Sequence, residues 1–298
     1  MNNVIKTWWI GARPRTLPAA IVPVLVGGAL ASREGTFNAL AFLAALLASL
    51  LIQIGTNLTN DVADFLKGTD KDRKGPVRIT HAGLATPRQV MIMTAVTFGL
   101  AAVLGLYLIA VGGWPILAVG VLSILAGIGY TAGPFPLAYN GLGDLFAFIF
   151  FGLVATIGSY FIHTRVVTWA VVIAAIPVAL LVTNIIVVNN LRDIPTDTAA
   201  NKRTLAVIIG AGATRIQYAV FALAACVIAS SLWWMGWLSQ VLIPVWPVAM
   251  ILLLVLALDR IRRVFAAREP MQFNMALAAT AQFHLLFGAL FAASIAVS

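Results

Sequence analysis

The sequence predicts an all-α, polytopic membrane protein, and three observations carry that reading. Of its 298 residues, 61% are hydrophobic and only 10% charged, which lies outside the range of soluble globular domains. Apolar runs long enough to cross a bilayer as helices recur from end to end. The basic residues, finally, gather almost entirely on alternate loops. No polar stretch is long enough for a separate soluble domain, so residues 1–298 read as one transmembrane domain. The net charge of +9 is spread over short loops rather than along one basic face. The expected partners are therefore a lipid bilayer and a phosphorylated, lipid-like substrate, and not nucleic acid.

Nine helices fit the apolar runs, at residues 16–33, 37–60, 88–111, 114–132, 143–163, 166–191, 213–235, 241–262 and 273–297, each near the ~17–25 residues a span requires. Placing the N-terminus inside puts Lys6, Arg13 and Arg15 on the cytoplasmic side. Lys67, Lys71, Arg73, Lys74, Arg78 and Arg88 follow the second span, Arg192, Lys202, Arg203 and Arg215 the sixth, and Arg260, Arg262, Arg263 and Arg268 the eighth. Only Arg33 and Arg165 fall outside, so the positive-inside rule sets the orientation and leaves the C-terminus external. Trp114, Trp169, Trp233, Trp234, Trp237 and Trp246 fall near outer helix ends, and Trp8 and Trp9 near the inner surface, as interfacial belts do. The N-terminal decapeptide has no cleavable signal pattern, and a bacterial-type plasma membrane is the expected location. Cys226 is the single cysteine and allows neither an intrachain disulfide nor a cysteine metal cluster. His81, His163 and His284 share no ligand spacing and read as structural.

Nine of the ten acidic residues share the cytoplasmic side, and Glu34 alone does not. Carboxylates contribute little to topology, so this asymmetry points to function. Asn57, Asp61 and Asp64 close the second span, and five basic residues follow within fourteen positions. Asn189, Asp193 and Asp197 close the sixth, with Lys202 and Arg203 just beyond. Offsets of three and four place each set on one helical face, so each aims an amide and two carboxylates at a common point. Pro195, between the two later aspartates, is expected to unwind or bend the helix there. The two segments resemble a weak internal duplication. Clustered carboxylates at the membrane repel one another unless a cation intervenes, and a hard-oxygen set without nearby His or Cys suits Mg²⁺. A metal held by Asp61, Asp64, Asp193 and Asp197, with basic loops holding a phosphorylated group, satisfies both charge signs at once.

The two Asp motifs on even-numbered spans resemble those of the UbiA superfamily of intramembrane prenyltransferases, over nearly the whole chain. Residues 12–18 (ARPRTLP), 67–70 (KGTD), 75–78 (GPVR), 130–134 (YTAGP), 141–144 (GLGD), 189–193 (NNLRD) and 202–205 (KRTL) are most similar to its menaquinone-pathway branch. The resemblance implies a bundle around a central cavity, capped on the cytoplasmic side by the loops after the second and sixth spans. It assigns Asn57, Asp61, Asp64, Asn189, Asp193 and Asp197 to Mg²⁺ and the diphosphate of a polyprenyl donor. In many members the first motif's later Asp stands four residues on. Here Asp64 comes at three and Phe65 takes the fourth place, which leaves open whether Asp64 meets metal directly or through water. The branch implies an aromatic acid acceptor, 1,4-dihydroxy-2-naphthoate, whose carboxyl group is replaced by the prenyl chain with release of CO₂. Other aromatic acceptors such as 4-hydroxybenzoate, and a secondary transporter, are the alternatives.

Leaving diphosphate needs its charge neutralised, for which Lys67, Arg73, Arg78, Lys202 and Arg203 are candidate clamps. An allyl cation needs a dry, electron-rich pocket, which Tyr130 and the Phe146, Phe148, Phe150, Phe151 set offer unless those rings face lipid. Arg13 or Arg15 is placed to bind an acceptor carboxylate or to anchor the first span. Asp144, before the fifth span, either assists deprotonation or caps the helix. Tyr139 and Asn140 have no derivable role.

Overall fold

In the computed structural model, residues 3–68, 75–235 and 245–297 are described. Among these, all regular elements are helical, apart from one bridge pairing Asn140 with Arg203. A short α1 (Asn3–Ala12) precedes nine longer helices: α2 (Pro18–Arg33), α3 (Ala39–Leu66), α4 (Pro87–Gly112), α5 (Trp114–Gly129), α6 (Gly143–Thr164), α7 (Trp169–Ala199), α8 (Leu205–Trp234), α9 (Val245–Ala266) and α10 (Pro270–Ala296). Helices α2 to α10 answer to the nine apolar runs. By length and composition, α3, α4, α6, α7, α8 and α10 can each cross a membrane, and α1 with α2, bent by 56°, can make a seventh. At 16 residues α5 is shorter, and α9 carries Asp259, Arg260, Arg262 and Arg263 in its last turns.

Local chemistry starts the helices where the sequence has its caps. Asn38 accepts from the Ala41 amide, Thr168 from Val171 and Thr204 from Val207, while Thr86 and Gln89 form a reciprocal box. Several boundaries differ from expectation. Helix α3 continues to Leu66, so Asp61 and Asp64 lie inside its last turns rather than beyond its end. Helix α7 runs through Pro195 to Ala199 without the expected unwinding. Proline there removes a single backbone donor, and the buried side-chain contacts of Asp193 and Asp197 hold the turn regardless. Helix α8 starts at Leu205, because its apolar run is the second half of a helix broken at Gly210, where φ is +79°.

The core is built on α2, α7 and α10. Phe283, Phe287 and Phe291, each one turn apart, stack along α10 against Val22 and Val26. Trp246 packs onto Phe291 and is buried, rather than lying at the interface as expected; Trp114, Trp169 and Trp234 are exposed, and Trp237 lies outside the described residues. Ile92, Val96, Leu100 and Val103 of α4 face outward, where a bilayer rather than water would meet them. At one end of the bundle Arg165 donates to the Val111 carbonyl, His163 accepts from Asn38, and Tyr160 donates to Glu34. The two Asp motifs occupy the other end.

Candidate active site

Helix α3 presents two polar ridges. On the first, Gln53 and Asn57 both donate to Thr16 Oγ1 (3.3 and 3.0 Å), and Asn57 also reaches the Ala12 carbonyl. One turn on, the Asp61 carboxylate accepts the backbone amides of Ile79 and Thr80, each at 3.0 Å, with Arg13 3.9 Å away. Asp61 thus folds the loop after α3 back onto the helix. On the second ridge, Asn60 accepts from Thr131 and Lys67 Nζ donates to the Thr131 carbonyl at 2.6 Å. Between them Asp64 meets Arg78 at 2.6 Å and accepts the Tyr139 hydroxyl at 2.7 Å. Arg78 is itself buried and also donates to the Asn60 carbonyl. Burial holds Lys67 below the usual lysine range, with Asp64 opposing and Lys202 adding to the shift.

Helix α7 supplies the second motif. Arg192 grips Asp193 through Nε and Nη2 (2.7 and 2.6 Å), donates to Asn189 Oδ1, and is anchored on Asn274 of α10. Asp197 pairs with Lys202 at 3.4 Å, and its Oδ2 is buried with no hydrogen-bond partner. The motifs meet through Tyr139. Lys67 and Lys202 lie 4.4 and 5.3 Å from its ring centroid, and the Arg203 amide donates to its carbonyl. Lys202 is within electrostatic range of both Asp64 and Asp197.

A polar cavity lies between the two helices. Asn57 and Asp64 line it from α3, Asn189 and Asn190 from α7, and Arg13, Arg78 and Lys202 bring positive charge to its wall. A second, apolar cavity runs among α3, α4, α5 and α6, floored by small residues such as Ala48, Gly105 and Gly120. Its wall on α6 extends from Phe146 to Ile162, roughly 24 Å at 1.5 Å per residue. Thr56, Tyr130, Ala147 and Phe151 line both. The π-helical segment Ala147–Val154 carries Phe151 onto this shared wall and Phe150 onto the apolar cavity, where Phe146 stacks on it at 5.4 Å. Gly152 allows the segment to lie against α7, since a Cβ there would fall 2.2 Å from that of Ala179.

The residues singled out from sequence divide accordingly. Asn57, Asp64, Arg78, Tyr130, Asn189, Lys202 and Arg13 line the polar cavity. Asp61 and Asp193 are turned into the protein by the amides and Arg192, and Asp197 sits behind Lys202. Arg15 and the Arg203 side chain are exposed, and Arg73 lies outside the described residues. Phe146, Phe150 and Phe151 line the apolar cavity, whereas Phe148 packs in the core. Asp144 makes no helix cap: it accepts from Asn190 Nδ2 at 3.0 Å and from Gln217 Nε2 at 2.9 Å. Among the described residues no three of His, Cys, Asp and Glu stand together as a metal cluster. Tyr139, Arg192 and Gln53 were not foreseen. An Arg beside Asp193 in the motif itself was the available signal for Arg192.

A chamber with cations and carboxylates at one end and a long apolar channel at the other fits an amphiphile with an anionic head, the substrate form of a membrane prenyl-transferring enzyme. The chain belongs to the UbiA prenyltransferase family, whose sequence pattern it matches over residues 20–285. It is 43% identical to the 1,4-dihydroxy-2-naphthoate octaprenyltransferase of Mycobacterium tuberculosis over 71% of this chain and 72% of that one. The protein of that name from Escherichia coli is 34% identical and covers 98% of this chain and 96% of its own. The fold is similar to that of a UbiA homolog from Aeropyrum pernix (TM-score 0.70, 16% identity, 92% and 95% of the two chains). It is also similar to a UbiA homolog from Archaeoglobus fulgidus bound to GPP and Mg²⁺ (TM-score 0.69, 13% identity, 98% and 100%).

Proposed function

We propose that this protein transfers a polyprenyl chain from polyprenyl diphosphate to 1,4-dihydroxy-2-naphthoate, forming the demethylmenaquinone skeleton with loss of CO₂ and diphosphate. The carrying observation is the wall of Thr56, Tyr130, Ala147 and Phe151 common to the polar and apolar cavities. A prenyl diphosphate laid across it has its head among Arg78, Lys202 and Asp64 and its tail along α6. The names of the M. tuberculosis and E. coli relatives support the choice of acceptor.

The residues present fit a divalent metal. Their donors are hard oxygens, and Asp197 Oδ2 is buried without a partner. Asp197, whose Oδ2 has no partner, and Asp64, which lines the polar cavity beside Arg78 and Tyr139, are the first candidates to hold Mg²⁺, whereas the partners of Asp61 and Asp193 turn them away from it. When bound, Mg²⁺ supplies Lewis-acid neutralisation of the diphosphate. Arg78, Lys202 and Lys67 bind phosphate oxygens and stabilise the charge that grows as the C–O bond breaks. Phe146, Phe150, Phe151 and Tyr130 exclude water from the allylic carbon and offer it π faces. Arg13 binds the acceptor carboxylate, orienting the ring. The new C–C bond forms at the carboxyl-bearing carbon, and the electrons of the lost C–CO₂ bond restore the aromatic ring.

The whole chain acts as one nine-span unit in a bacterial-type plasma membrane, with its N-terminus and site on the cytoplasmic side and its C-terminus outside. The purified protein is tested with Mg²⁺, a polyprenyl diphosphate and a panel of 1,4-dihydroxy-2-naphthoate, 4-hydroxybenzoate and homogentisate, with and without chelator. Prenylation of the naphthoate that chelator abolishes is expected. No turnover with any aromatic acceptor would overturn the proposal.

A further inference from the structure

Gln53 has one amide end committed and the other idle. It is 6% exposed and lines the polar cavity beside Arg13 and Thr16. Its Nε2 donates to Thr16 Oγ1, and its Oε1 is buried with no hydrogen-bond partner. The orientation of this amide follows from its neighbour. The single Thr16 hydroxyl proton goes to the Arg13 carbonyl at 2.9 Å, and Asn57 Nδ2 already donates to Thr16 Oγ1. Thr16 therefore has no proton to give Gln53, and Gln53 must donate to it. The idle group is the carbonyl oxygen, buried in a residue that lines the polar cavity, where an unmet acceptor is costly.

A carbonyl oxygen accepts and cannot donate. It repels phosphate and carboxylate oxygens alike, so neither the diphosphate nor the acid group of the acceptor can satisfy it. Resting on the prenyl transfer proposed above, the two substrates contain one kind of donor, the ring hydroxyls of the acceptor. We infer that Gln53 Oε1 accepts a hydrogen bond from a ring hydroxyl of the aromatic acceptor and so selects hydroxylated acids over plain ones. A site built around such an acceptor discriminates against ligands that leave it unpaired.

The test uses the full chain in lipid, with 2-naphthoate, 1-hydroxy-2-naphthoate and 4-hydroxy-2-naphthoate as inhibitors competing with 1,4-dihydroxy-2-naphthoate. In the wild-type protein at least one hydroxylated inhibitor binds roughly three- to tenfold tighter than 2-naphthoate, the worth of one net hydrogen bond. Gln53→Met, similar in shape but without the amide, removes that preference while the Ki of 2-naphthoate and the KM for polyprenyl diphosphate stay unchanged. Equal wild-type inhibition by all three acids overturns the assignment without recourse to any variant. So does a parallel loss for all three in Gln53→Met, which marks a packing role, or a preference that the variant retains, which marks water at Oε1. If the wild-type protein prenylates no naphthoate, the underlying function fails instead; turnover with a flat inhibitor series removes Gln53 alone.

Discussion

Tyr139 donates its hydroxyl to Asp64 at 2.7 Å while two lysines from opposite sides of the site, Lys67 and Lys202, hold to its ring. One side chain thereby connects the first Asp motif, the second cap loop and the loop between α5 and α6. With the Arg203 amide bound to its carbonyl, Tyr139 keeps the two lysines together beside Asp64.

Removing the hydroxyl alone separates these roles. Tyr139→Phe keeps the ring under both lysines but loses a hydrogen bond to a charged group, worth about 1.5–3 kcal/mol. Turnover is expected to fall at least about tenfold, with the protein still folded. Tyr139→Ala also releases the lysines and raises the KM for polyprenyl diphosphate, which Tyr139→Phe does not. Steady-state kinetics with each substrate varied in turn distinguishes the two variants.

Much of this site was legible in the chain, and the missing parts have two physical causes. Spacings of three and four within Asn57–Asp64 and Asn189–Asp197 are local, so the sequence reveals which helical face they share. Apolar run length is equally local and delivered α2 to α10. Tyr139 lies 75 residues from the carboxylate it binds, and no periodicity encodes a loop folding back on a distant helix. The same holds for Gln53, which reads as one polar residue in an apolar run until Thr16 is beside it. The apolar cavity was hidden for another reason. It is made by what Ala48, Gly105 and Gly120 lack, and small residues in a membrane helix read equally well as close packing.

The two aspartates of each motif are not equivalent, and their variants should differ. Asp61→Asn replaces an oxygen that accepts a backbone amide by an NH₂ group facing it, a loss of about 1–3 kcal/mol. It should lower the melting temperature and expose the 75–86 loop to protease as well as abolish turnover. Asp197→Asn breaks only the pair with Lys202 and should leave melting nearly unchanged. Its signature is a metal one: the Mg²⁺ concentration for half-maximal activity rises at least about tenfold, as expected for loss of a charged ligand. Unchanged Mg²⁺ dependence in Asp197→Asn would remove that residue from the metal site.

Gly120 lines the apolar cavity, and a Cβ added there meets no atom within 4 Å. A side chain can therefore grow into the channel without first straining the helix. Gly120 is ten residues from Tyr130, so Gly120→Phe places a ring about 15 Å from the shared wall. Long polyprenyl diphosphates should lose activity while short ones retain it. A series of donors of graded length measures this, and a uniform loss across the series would place the chain elsewhere.

Asp144 offers a test in which the conservative variant is the mild one. If its carboxylate took a proton during the reaction, Asp144→Asn would be inactive. The structure instead gives it two amide donors, Asn190 Nδ2, from a buried residue lining the polar cavity, and Gln217 Nε2, from a half-buried one. Gln217 Oε1 is buried and has no partner. In Asp144→Asn the new carbonyl can keep Asn190, while a half-turn of the Gln217 amide presents Oε1 to the new NH₂ group. Both contacts to residue 144 are kept, with the Gln217 NH₂ group now in the place of the unpartnered oxygen, and turnover should stay within a few-fold of wild type. Asp144→Leu strands both amides, at about 1–3 kcal/mol each, and frees Asn190 to move. The KM for the acceptor should rise sharply, with that for polyprenyl diphosphate little changed. Loss of turnover in both Asp144→Asn and Asp144→Leu, with the acceptor still bound by Asp144→Asn, would reverse the argument and make the carboxylate a base.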